Sequence, residues 1–484
     1  MSRFVLTRTR TTNKRNLIFC VLLLSVATSG CISARRTPNL EQIFTKARSS
    51  TGKRPVIVIP GILGSELINP RTGEKVWPSA FRTSQEGLPI TPNLEANRDD
   101  LVPGQIVETA KLAKLVPEVY VYRDLLEALR RYAGYREGDW NNPSVDGDRD
   151  TYYVFSYDWR KDNVANAREL VRRLQLLKNK LQRPDLKFNI VAHSMGGLIA
   201  RYAAMYGDAD LPPGDVAIEP TWLGAAHISK IVMIGVPNEG SADAFATLVE
   251  GYSITEGLRR RVPLLNKLTA EDAARTPSVF QLMPHASAVR FLDENLKPVA
   301  IDLYDVNVWK EYRWSALYTP EFRRDFAEAH GSNGQLDDID AYLAATLRRA
   351  RRFHQALDAA DGVTSPVMLL AIGGDCEETL NSPVLLRDQK RNRWRTLTRP
   401  REFRTSSGVK VSKKAATEAM YVPGDGRVTR ASLLGENIFR TRDSQTGFTL
   451  SRYAVFGCDL HGQLPRNKTL QDNALTAIVG EVMR

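Results

Sequence analysis

The sequence predicts an α/β fold, a mostly parallel sheet flanked by helices, and three observations predict it. Short apolar runs rich in β-branched residues recur along the chain, as suits strands buried on both faces of a sheet. Between them lie stretches with apolar residues at helical spacing, and strands that alternate with helices call for a parallel sheet. One run ends in small residues around a serine, Ala192-His193-Ser194-Met195-Gly196-Gly197, just before a helical stretch. Of 484 residues 43% are apolar and 25% charged. This suffices for one large domain with insertions and argues against wholesale disorder.

In chain order, residues 1–31 read as an export signal. Arg3, Arg8, Arg10, Lys14 and Arg15 form a basic leader, Leu17 to Ala27 is an apolar run too short for a comfortable membrane span, and Thr28-Ser29-Gly30-Cys31 follows. The Ser-Gly-Cys ending resembles a bacterial lipobox, which makes Cys31 a candidate lipidated first residue; Thr28 stands where such motifs usually carry Leu. The expectation is an exported protein of the bacterial cell envelope, anchored as a lipoprotein or secreted. Residues 32–53 are polar and basic and read as a tether, and the folded domain is expected over 54–484.

Pro55-Val56-Ile57-Val58-Ile59-Pro60 reads as the first strand, followed by the flexible turn Gly61-Ile62-Leu63-Gly64-Ser65. Residues 66–118, poor in periodicity and rich in Pro, Gly and Asn, read as a lid-like insertion. Tyr122 to Tyr132 is helical, Tyr152 to Phe155 a strand, Val164 to Leu181 a basic amphipathic helix, Phe188 to Ala192 a strand, Gly196 to Tyr206 a helix and Ile228 to Ile234 a strand. Residues 238–360 break this rhythm with Arg-rich helical patterns and no clear strand, so a helical cap is expected there; Val367 to Ile372 returns to strand.

Strand, sharp turn and helix are the context in which a serine becomes a nucleophile at an elbow, with small residues two positions either side, here Ala192 and Gly196. The helix then points its positive end at Ser194, and the backbone N–H of Met195 is one expected oxyanion donor. The second is expected from the turn after the first strand, with the Ile62 N–H best placed. In this α/β-hydrolase arrangement the order is Ser, then Asp or Glu, then His. Of six histidines, His193 adjoins the serine, His227 comes too early, and His285, His330 and His354 lie in the expected cap. His461, in Cys458-Asp459-Leu460-His461-Gly462, is therefore the expected general base. By spacing alone two acids compete: Asp375, just past the strand at 367–372, and Asp425 in Gly424-Asp425-Gly426-Arg427-Val428.

The formal net charge is +12, which favours anionic partners. Zinc-finger and RNA-binding spacings do not accompany it, so anionic lipid is preferred over nucleic acid; no metal or cofactor is expected. Cys20 and Cys31 belong to the signal. Cys376 and Cys458 remain, an even pair in an exported chain that suggests one disulfide, the alternative being two separate buried thiols.

Taken together, these residues resemble the lecithin:cholesterol acyltransferase family, which includes phospholipid:diacylglycerol acyltransferases and lysosomal phospholipase A2. Val58-Ile59-Pro60-Gly61-Ile62-Leu63-Gly64-Ser65 is similar to its oxyanion segment, Tyr157-Asp158-Trp159-Arg160 to its signature, and Ala192 to Gly197 to its elbow. Ile234-Gly235-Val236-Pro237-Asn238-Glu239-Gly240-Ser241 is similar to a further family segment, Gly424 to Val428 to its acid loop, and His461 to its histidine. The resemblance runs from about 54 to 465 and implies Asp425 as the acid, a lipid acyl ester as donor and water or an alcohol as acceptor; a membrane surface as partner is expected from the basic charge and Cys31. It implies that a Cys376–Cys458 bridge ties the acid-side strand to the histidine loop, and that Asp158 with Arg160 is a buried structural pair. Trp77 is a candidate to line the acyl site or simply to pack. Arg427 departs from the family's usual small polar residue, and the 66–118 insertion carries no cysteine. The competing reading is a catalytically silent hydrolase-fold interaction protein; the oligomeric state is left open.

Overall fold

The computed structural model describes residues 37–78, 88–110, 119–214, 216–253, 267–285, 291–330, 334–359, 365–388, 392–439, 450–455 and 457–483. The expected signal over 1–31, with Cys31, lies outside them. Among the described residues no helix is long and apolar enough to cross a membrane.

The centre is a seven-stranded sheet. In chain order its strands are β1 (Val56–Ile59), β2 (Arg136–Glu137), β3 (Thr151–Val154), β4 (Phe188–His193), β5 (Ile228–Ile234), β6 (Met368–Gly373) and β7 (Leu450–Val455). Their spatial order is β7-β6-β5-β4-β1-β3-β2, and every pairing is parallel. Successive side chains of a strand leave on opposite faces, and both faces are covered. Ile57, Ile59, Ile190 and Ile231 pack with helices α2 (Asn163–Lys180) and α3 (Met195–Tyr206). Val56, Val58, Val191 and Val232 pack with α1 (Arg123–Arg131) and α5 (Lys468–Met483). Full burial on both faces is why these strands read as continuous apolar runs.

Two expectations need correction. Residues 40–53 are no tether: Leu40–Ile43 and Thr45–Ser49 are short helices, and Leu40, Phe44 and Ala47 are buried in the same core as α5. Those three residues repeat at helical spacing, a stripe hidden by the polar residues around it. Within the 66–118 segment Lys75–Trp77 and Val102–Ile106 join Ser65–Ile68 in a small antiparallel sheet in which Leu67 faces Trp77. Within 238–360 helices dominate and α4 (Gly334–Asp358) is the longest of them, yet Phe291–Leu292 and Pro298–Val299 add two strands to a sheet with Val384–Asp388 and Arg393–Leu397. Strands of two residues leave no period-2 signal to read.

Candidate active site

The site is assembled at the carboxyl ends of β1, β4, β5 and β6, where an open α/β sheet presents its ligand crevice. Ser194 follows β4 directly and adopts φ 53°, ψ −128°, the strained conformation that lifts a side chain clear of the sheet. Its amide donates to the Ile234 carbonyl of β5 (2.8 Å). The turn tolerates no bulk. A Cβ on Gly196 would lie 2.5 Å from the Pro60 carbonyl oxygen, and one on Gly197 would strike the Val236 side chain at 2.1 Å.

The loop after β7 brings His461 to the serine: Nε2 lies 2.9 Å from Ser194 Oγ and Nδ1 lies 2.8 Å from Asp425 Oδ2. Ser194, His461 and Asp425 are all buried, Asp425 to 2% exposure. The carboxylate is held on its other oxygen as well, since Oδ1 accepts from the amides of Arg427 (3.0 Å) and Val428 (2.8 Å). The His461 amide donates to the Asp425 carbonyl (2.9 Å), so Asp425 and His461 are tied through backbone as well as side chains. Asp375, the other acid weighed from spacing, instead faces Arg430 at 3.8 Å and is a third exposed. Cys376 and Cys458 are bonded, with Cα atoms 5.1 Å apart, and link the segment after β6 to the histidine loop.

On the opposite flank the Gly61–Ser65 turn crosses close over the elbow: a Cβ on Gly61 would lie 2.8 Å from Ser194 Cβ. Ile62 and Met195, the expected oxyanion donors, thus belong to the two backbone segments that meet at the serine. The Tyr157–Arg160 residues brace this turn. Tyr157 Oη donates to the Pro60 carbonyl (2.9 Å), and Trp159 Nε1 to the Ser65 carbonyl (3.2 Å). Asp158 and Arg160 form a buried pair (2.8 Å) that also engages Asp99. Burial alone would lower the Arg160 pKa, but the two carboxylates outweigh it and the pKa is raised. Trp77 is 7% exposed, donates to the Leu63 carbonyl (2.9 Å) and packs edge-on against Trp159. Its contacts are therefore with the turn and the core.

Several contributors escaped sequence reasoning. Thr379 Oγ1 accepts from the Gly426 amide (2.8 Å), Ser241 Oγ donates to the Arg427 carbonyl (2.5 Å), and the Arg427 guanidinium pairs with Asp243. Arg427, the departure from the family pattern, thereby anchors the acid loop to the helix Ala242–Glu250. Tyr122 and His193 lie behind the elbow, joined at 2.7 Å. Nothing local marks these roles, because each partner is remote in sequence.

Residues 112–347 match the family described as Lecithin:cholesterol acyltransferase. The family match covers Tyr157–Arg160 and Ser194 and ends before Asp425 and His461. Among solved structures the chain is similar to the Tle4–Tli4 complex, at TM-score 0.53 and 14% identity over 90% of this chain and 99% of that one. It is also similar to the Staphylococcus hyicus lipase (TM-score 0.35, 13% identity, 93% and 98% coverage) and to Bacillus licheniformis lipase BlEst2 in its mature form (0.32, 11%, 88% and 92%). No curated protein matches. The fold is that of the α/β-hydrolases.

Proposed function

We propose that this protein is a serine-dependent lipid acyl hydrolase or O-acyltransferase acting on phospholipid or a related acyl ester. One observation carries the reading: an unbroken hydrogen-bonded chain from Ser194 Oγ through His461 to the buried Asp425 carboxylate, at a strained turn in front of a helix.

In this reading Ser194 Oγ attacks the ester carbonyl carbon while His461 Nε2 takes its proton. Asp425 holds His461 in the tautomer with the proton on Nδ1 and stabilises the imidazolium that forms. The tetrahedral oxyanion is held by the Met195 and Ile62 amides. Collapse breaks the ester C–O bond, His461 returns the proton to the departing alcohol, and an acyl-Ser194 remains. Water or an acceptor alcohol then attacks the acyl carbonyl carbon while giving its proton to His461; the acyl–Oγ bond breaks, and His461 returns the proton to Ser194 Oγ. The Cys376–Cys458 bridge and Arg427 keep the acid and base loops in place, and Trp77 braces the oxyanion turn. Residues 66–118 form the insertion beside that turn and 238–360 the helical cap. Export through residues 1–31, with lipidation at Cys31, brings the basic protein to anionic membrane surfaces.

Phospholipid vesicles with and without added long-chain alcohol, followed by lipid profiling, separate hydrolysis from transfer. Free fatty acid alone defines a hydrolase, and a new ester a transferase. Ser194→Ala is expected to reduce product formation by about 10⁴-fold or more. Product from Ser194→Ala at a near-wild-type rate sinks the reading, and a well-folded wild type that yields neither product favours the silent scaffold.

A further inference from the structure

Behind the elbow runs a second chain of hydrogen bonds that the triad does not use. The Gly61 amide donates to Tyr122 Oη (2.8 Å), Tyr122 Oη lies 2.7 Å from His193 Nδ1, and His193 Nε2 lies 3.1 Å from the carbonyl oxygen of His461. Tyr122 is 1% and His193 5% exposed. The proton positions follow from the partners. A carbonyl only accepts, so His193 carries its proton on Nε2 and Nδ1 is bare. The Tyr122 hydroxyl must therefore give its proton to Nδ1, which leaves its oxygen to accept from Gly61. Donor and acceptor are thus assigned at every link of the chain.

We propose that Tyr122 and His193 are positioning residues that set the height of the oxyanion turn over Ser194 and fix it to the backbone of His461. The proposal rests on the reading of Ser194 and His461 given above. The turn has no slack of its own to settle this distance, since a Cβ at Gly61 would already meet Ser194 Cβ at 2.8 Å and His193 Nδ1 at 3.3 Å. With the Gly61 amide engaged by Tyr122, the next amide, Ile62, is left to face the oxyanion. Tyr122 is a firm post because it stands at the N-terminal boundary of α1 and its ring belongs to the core on that face of the sheet. The far end of the chain is the residue that must stay within reach of Ser194 Oγ. One tyrosine and one histidine thus join the two groups whose separation defines the transition-state site. His193 also stays neutral: burial first, and then the nearby His461, hold its pKa well below the usual 6.5. The two rings are only 4.8 Å apart, so a charged His193 would oppose the imidazolium that His461 becomes during turnover.

A purely structural role would cost stability and leave chemistry untouched, so the test separates the two. For full-length wild type, Tyr122→Phe, His193→Ala, His193→Gln and the Tyr122→Phe/His193→Ala double variant, kcat and KM are measured on p-nitrophenyl butyrate, with active sites counted by fluorophosphonate titration and Tm recorded alongside. Misplacement of a reacting group by about 1 Å costs on the order of 10²-fold. We expect Tyr122→Phe and His193→Ala to lower kcat per titrated site by about 10- to 100-fold with KM within about threefold. His193→Gln, which keeps an amide N–H for the His461 carbonyl, recovers part of that loss, and the double variant is no worse than the worse single one. Per-site kcat within about twofold of wild type in Tyr122→Phe, with Tm alone lowered, overturns the inference. Tyr122→Phe keeps the ring and folds even if His193→Ala does not, so it decides the case. A wild type whose turnover survives Ser194→Ala overturns the reading of Ser194 itself, and this inference with it.

Discussion

Ser194 and the Asp425–His461 pair meet within hydrogen-bonding distance but are held there by different means. The serine ends β4, between β1 and β5 in a sheet buried on both faces, and its amide is fixed by a neighbouring strand. Asp425 and His461, the proposed acid and base, lie in the segments that follow β6 and β7. Asp425 directly follows the strand Tyr421–Gly424, which pairs antiparallel with Glu377–Leu380, and single contacts add to this: the Cys376–Cys458 bond, Thr379 on Gly426, Ser241 on Arg427 and Arg427 on Asp243. The seven-stranded sheet gives Ser194 cooperative stiffness, whereas the Asp425–His461 half rests on one short two-stranded ribbon and a few separable fasteners. Substitutions in the loop half should therefore be graded, each costing what its own contact contributes.

The largest effect expected there is on Asp425 itself. Asp425→Asn cannot hold His461 in the required tautomer, and kcat should fall by about three orders of magnitude or more. Asp375→Asn, which loses only a partly exposed contact with Arg430, should stay near wild type. A folded but inactive Asp375→Asn beside a nearly normal Asp425→Asn would reverse the two assignments. Next comes the disulfide, which closes a separation of 82 residues. Replacing both cysteines by serine should remove about 2–4 kcal/mol of stability in denaturant titration, and an unchanged midpoint contradicts its role as a fastener. Arg427→Gln and Asp243→Asn should each lower kcat by less than about tenfold, because partly exposed ion pairs contribute little. The double variant should match the single ones, and fully additive losses would show that the two residues act apart.

The smallest effect is on pH dependence and belongs to the sheet and cap. Burial, with a further contribution from Lys178, pushes His227 down to about 4, and burial holds His193 and His354 well below 6.5. The folded state keeps these rings neutral while the unfolded chain takes up protons below about pH 6.5. Their contribution is thus fully present above pH 6.5, and stability falls as pH drops from there toward the lowered values. His227→Gln should make the fall of Tm between pH 6.5 and about 4 shallower; an unchanged slope excludes His227 as a source.

The same contrast explains what the sequence made legible. Val56–Ile59, Phe188–His193 and Ile228–Ile234 announce themselves because burial on both faces demands an apolar run, and the elbow because its strain demands small residues at 192 and 196. Asp425 and Asp375 could not be separated by spacing, since the choice depends on contacts made across the fold; only resemblance favoured Asp425. The fasteners are equally silent. Tyr122 is one aromatic at the head of a helix until its hydroxyl meets Gly61 and His193, 61 and 71 residues away, and Ser241 reaches Arg427 across 186 residues. Leu40, Phe44 and Ala47 were hidden by the charged residues between them, and the strands of 291–299 by their brevity.

The claim beneath all of this is that Ser194 is an activated nucleophile. Intact-mass measurement after incubation with a fluorophosphonate tests it directly, because the phosphonyl group is captured only by a serine whose proton a neighbouring base removes. The wild-type chain should gain one adduct, mapped by peptide fragmentation to Ser194, while Ser194→Ala gains none and Asp425→Asn reacts far more slowly. Equal labelling of wild type and Ser194→Ala, or a folded wild type that gains no adduct, would contradict the account.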